Sequence, residues 1–69
     1  MIEEIIEEYF YKKEGIKVWD WLGIAQTNWS IQKKNGLSKP TQEKLKEYFN
    51  INDLGKESAQ TIIKRFYKV

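Results

Sequence analysis

The sequence predicts an all-α domain, a compact bundle of four or five helices. Three observations carry this. Apolar residues recur at three- and four-residue spacings along most of the 69-residue chain. No segment sustains the period-two alternation of a strand. Turn-forming residues (Gly15, Gly23, Asn35-Gly36, Pro40) divide the chain into pieces of helical length. With no repeat, linker or low-complexity tract, residues 1–69 are expected to form a single domain.

Each helix has its own signals. Residues 2–14 carry Ile2, Ile5, Ile6, Tyr9 and Phe10 on one stripe. Lys12 and Lys13 suit its last turn, and Gly15 suits the residue just beyond it. A short second helix is expected over Lys17–Leu22, with Val18 and Leu22 on one face. Its two tryptophans, Trp19 and Trp21, lie about 200° apart at ~100° per residue, so one is expected in the core. The other is expected to be partly exposed or packed under the first or fifth helix. Gly23 then supplies the left-handed conformation of a sharp reversal.

The third helix runs from Ala25 or Gln26 to about Asn35, with Trp29 as its inward anchor. Pro40 opens a fourth, with Thr41 as N-cap and Glu43 favourable to the helix dipole. Leu45, Tyr48 and Phe49 give its buried face, and Asn50 and Asn52 bracket Ile51 at its end. A fifth runs from Asp53 or Lys56 to Tyr67, with Ala59, Ile62, Ile63 and Phe66 as its stripe.

Composition narrows the function. There is no cysteine and no histidine. Disulfides, thiolate metal sites and zinc-finger spacings are therefore excluded, and no metal or other cofactor is expected. The usual nucleophile and base sets are missing too, as is a Gly-rich phosphate loop, so the chain is not expected to be an enzyme. The absence of cysteine fits an intracellular, cytoplasmic setting. Apolar runs are too short to span a membrane. A chain of this length buries little apolar surface, so the ten aromatic residues must supply much of the core.

The net charge is only +2, but it is unevenly spread. Residues 1–14 hold five acids against two lysines, and residues 15–69 hold ten bases against five acids. The basic part is where a polyanion would dock, with the first helix facing away from it.

The most informative stretch is Val18 to Gly36. It combines a short amphipathic helix, a tight turn at Gly23, and a helix rich in amide, hydroxyl and lysine side chains. That is the outline of a helix-turn-helix, whose second helix can enter the DNA major groove. Residues 16–52 resemble the phage Cro and repressor family. Leu22-Gly23-Ile24-Ala25 matches its small apolar turn, and Trp29 falls on its apolar anchor position. Lys33-Lys34-Asn35-Gly36 and Lys39-Pro40 resemble its basic exit and Pro-led fourth helix. Two positions depart: Trp19 stands where the family usually has a small residue, and Gln32 where it often has an apolar one.

The resemblance implies a small sequence-specific DNA-binding transcriptional regulator, repressor-like, from a phage or other mobile element. Gln26, Thr27, Asn28, Ser30 and Ile31 are the expected base contacts. Gln and Asn pair bidentately with adenine, hydroxyls adapt, and Thr27 or Ile31 suits a thymine methyl. Lys17, Lys33, Lys34, Asn35 and Lys39 are the expected phosphate contacts. Ile62, Ile63 and Phe66, with Tyr67 and Val69 nearby, are a candidate homodimer surface or else close the core. Lys64, Arg65 and Lys68 are expected to form a solvated face. The alternative function is a protein partner bound or blocked through the acidic first helix and the tryptophans.

Overall fold

The computed structural model describes residues 2–67. Five helices follow one another with no strand among those residues: α1 (Ile2–Tyr9, continued by a π-helical turn Phe10–Glu14), α2 (Val18–Leu22), α3 (Gln26–Asn35), α4 (Lys39–Phe49) and α5 (Lys56–Tyr67). The radius of gyration is 11.3 Å, close to the roughly 11 Å of a folded chain of this length.

α1 starts as expected but does not stay α-helical. Its wider π turn sets Phe10 into the core beside Tyr9 while Lys12, Lys13 and Glu14 stay exposed. Gly15 ends the turn at φ 67° and returns its N–H to the Phe10 carbonyl. The core is Ile6, Tyr9, Phe10, Val18, Leu22, Trp29, Leu45, Phe49 and Ile62. All five helices contribute to it, so none could stay in place alone.

Aromatic rings fill most of the space between α1, α2 and α4. Tyr9 meets Phe49 edge-on at 5.0 Å, Phe10 lies 4.7 Å from Trp21, and Trp21 lies 5.2 Å from Tyr48. Such offset and edge contacts suit the ring quadrupoles. The Tyr48 hydroxyl donates to Glu14 in the π turn. Arg65 of α5 is exposed, as expected, and also donates to the Phe49 carbonyl at 3.2 Å and lies over the Phe49 ring. It thereby satisfies the C-terminal end of α4.

One helix start differs from expectation. The N-cap of α4 is Ser38, not Thr41: the Ser38 hydroxyl accepts from the Thr41 N–H. Pro40 falls inside the first turn, where its missing N–H has no intrahelical partner to lose, so the helix begins before it. Thr41 is buried and its hydroxyl bonds Ser38 at 3.0 Å. Before α5, Asp53 accepts from the Gly55 N–H at 2.9 Å and from the buried Ser58 hydroxyl at 3.0 Å. These two donors hold the Asp53 carboxyl below its ordinary range. Lys68 and Val69 lie outside the described residues.

Candidate functional site

The α2–turn–α3 segment is fixed from both sides. The five residues of α2 bury only Val18 and Leu22, one turn apart. Gly23 adopts φ 75°, its N–H bonding the Asp20 carbonyl while the Ile24 N–H bonds that of Trp19. Lys44 of α4 reaches across to the Leu22 carbonyl at 3.3 Å. The chain therefore reverses over three residues, and α3 begins at Gln26 with Ala25 ahead of it and no side-chain cap.

One residue anchors α3. Trp29 is fully buried, and its indole N–H donates to the Glu7 carboxylate of α1 at 2.9 Å. Lys33, one turn further along, pairs with the same carboxylate at 3.1 Å. Buried indole nitrogens need an acceptor, and a carboxylate shared with an ammonium supplies a strong one.

One expectation is corrected by this arrangement. Lys33 was placed among the phosphate contacts, but it is half-buried and engaged with Glu7. The first helix packs Glu7 under α3 on the Trp29 side, away from the outward face of that helix. The indole requires this, because a buried N–H without an acceptor costs free energy.

The outward face of α3 carries no acid. Gln26, Thr27, Asn28, Ser30, Ile31, Lys34 and Asn35 are all exposed. At ~100° per residue, Thr27, Ile31 and Lys34 fall near the centre of that face, opposite Trp29. Ile31 is 58% exposed, a large apolar side chain with no place in the core. All five expected base contacts thus share one accessible helix. Of the expected phosphate contacts, Lys34, Asn35 and Lys39 are exposed at its exit. Lys17 is exposed but lies apart, its ammonium 4.8 Å from the Tyr11 ring and 5.7 Å from that of Trp19.

Gln32, at the position expected to be apolar, has a polar task. Its carbonyl oxygen accepts from the Ser38 backbone N–H at 2.9 Å. Its amide nitrogen donates to the Asn28 side-chain oxygen at 3.1 Å. The four-residue spacing of the two amides is visible in the sequence. The link to Ser38 is not, because it depends on the path of the chain after Gly36. Glu7 left no sequence signal at all.

The tryptophans differ from expectation as well. Neither Trp19 nor Trp21 is a core residue: both are half-buried and pack against the core from its edge. Val18 and Leu22 occupy the inward stripe of so short a helix, which leaves the indoles its two flanks. Trp21 is held by Phe10 and Tyr48, and Trp19 borders a shallow groove with Tyr11, Glu4 and Glu8. Of the candidate dimer residues, Ile62 is fully buried inside one chain and drops out of any such surface. Ile63 and Phe66 are half-buried and border a groove between α1 and α5 with Ile5, and Tyr67 is 75% exposed.

Among the described residues no group of three His, Cys, Asp or Glu side chains could hold a metal ion, and no helix is long and apolar enough to cross a membrane. No family model, no curated protein and no solved structure matches the chain.

Proposed function

We propose that the chain is a small sequence-specific DNA-binding regulator of transcription whose α3 enters the major groove. The observation that carries this reading is the exposed, acid-free face of α3, with amides, hydroxyls and Ile31 on a helix held from behind by the Trp29–Glu7 bond. Amide and hydroxyl groups read base edges, and an exposed isoleucine suits a thymine methyl. Lys34 and Lys39 at the exit of the helix suit phosphates on either side of the groove. The α2–Gly23–α3 connection serves as the helix-turn-helix, with α2 crossing above the groove. Repression would work by occlusion, as the resemblance to phage repressors implies.

The rival reading, a protein-binding module using α1 and the tryptophans, finds less support. Both indoles lie half-buried against the core, whereas interface anchors stand ready to fill a partner's pocket.

A paired substitution tests the two readings. Lys34→Glu with Lys39→Glu leaves the core and the Glu7–Lys33 pair untouched. The DNA reading expects the parent to be retained on duplex DNA at low salt, and the double variant to lose that retention. Parent protein that shows no salt-sensitive retention, or a double variant that binds as well as the parent, would overturn it. Lys33→Glu is a poor probe, since it sets a second carboxylate against Glu7 and weakens the fold itself.

A further inference from the structure

The amide chain Ser38–Gln32–Asn28 has a consequence for which base α3 reads. A backbone N–H can only donate. The Ser38 N–H therefore fixes the Gln32 carbonyl oxygen toward it, and the Gln32 amide nitrogen toward Asn28. That nitrogen can only donate, so the Asn28 oxygen must face Gln32. Neither amide can turn over without losing a bond.

The loop that sets this order is itself held. Ser38 caps α4, and Gln42 donates to the Leu37 carbonyl at 2.7 Å. Exposed Asn28 is left with a free N–H pair and a second oxygen lone pair, side by side and in one fixed order. Adenine presents the complement in the major groove, an N7 acceptor beside an N6 donor. Guanine presents two acceptors there.

We infer that Asn28 reads one adenine and that Gln32 is the positioning residue that fixes its amide for that base; this rests on the DNA-binding reading above. An unrestrained asparagine could turn over and accept either order of donor and acceptor. The restrained one does so only by giving up its bond to Gln32, and part of its side-chain freedom is already removed before docking.

The test is selection of bound duplexes from a random pool, using the parent, Asn28→Ala, Gln32→Ala and Gln32→Glu. The parent is expected to select adenine at one position about tenfold or more over the other bases. Asn28→Ala loses that preference. Gln32→Ala weakens it while retention on bulk DNA stays within about twofold, because phosphate contacts dominate bulk retention. Gln32→Glu can still accept from Ser38 but has no hydrogen for Asn28, so the Asn28 amide turns over and the adenine preference disappears.

If the parent selects a sequence that none of the three variants changes, this inference is overturned and the DNA reading stands. If only Asn28→Ala changes it, the positioning role of Gln32 is overturned. If the parent retains no DNA, both the inference and the reading beneath it fail.

Discussion

The indole N–H of Trp29 meets the carboxylate of Glu7 at 2.9 Å, joining two helices 22 residues apart in sequence. Lys33 closes on the same carboxylate, so one acid both anchors α3 and pairs with a lysine of the same helix. The two roles separate by substitution. Glu7→Ala leaves a buried indole N–H without an acceptor and is expected to cost about 1–3 kcal/mol in urea unfolding. Glu7→Gln keeps an acceptor for the indole but releases Lys33, so stability changes by under ~1 kcal/mol. DNA retention should then rise, with a salt dependence steeper by about one phosphate contact.

The turn before α3 gives a second prediction. Gly23 sits at φ 75°, and a Cβ added there meets nothing within 4 Å. Gly23→Ala therefore carries a conformational cost alone, about 1–2 kcal/mol. A lowered unfolding midpoint with an unchanged circular dichroism spectrum would match it. An unchanged midpoint would mean that the turn does not need the left-handed conformation.

Stability should fall at both ends of the pH scale, for different reasons. The Asp53 carboxyl is depressed by the Gly55 N–H and the Ser58 hydroxyl. Its contribution is present above about pH 4, the ordinary carboxylate value, and is lost as pH falls through the lower folded-state value. Asp53→Asn should flatten the acid limb of an unfolding curve. Tyr48 behaves oppositely. Burial first, then its bond to Glu14, pushes its phenol up, so the folded chain holds that proton longer than the unfolded one. Its contribution is complete below about pH 10 and is lost as pH rises beyond that. Tyr48→Phe should flatten the alkaline limb.

Much of the fold was legible because local rules agreed with one another. The stripe of Ile6, Tyr9 and Phe10, the inward Trp29 and the turn at Gly23 all follow from spacing and from one glycine. The start of α4 misled because Thr41 looks like a cap. The position of Pro40 within the first turn is what makes Ser38 the cap instead. The π turn at Phe10–Glu14 was not legible, since it answers to the packing of Tyr9, Phe10 and Tyr48 rather than to any local propensity. At the candidate site, the exposed positions of α3 were readable and the restraints on them were not. Glu7 and Ser38 reach Trp29 and Gln32 only through the tertiary path of the chain.

On the DNA-binding reading, the outward face of α3 meets the duplex. Titrating the isotopically labelled protein with a duplex, and following each backbone amide by nuclear magnetic resonance, tests it most directly. The largest shifts are expected at Thr27, Asn28, Ile31, Lys34 and Lys39, with the indole N–H of buried Trp29 moving little. Shifts confined to α1 and the groove beside Trp19, or none at all at low salt, would contradict it.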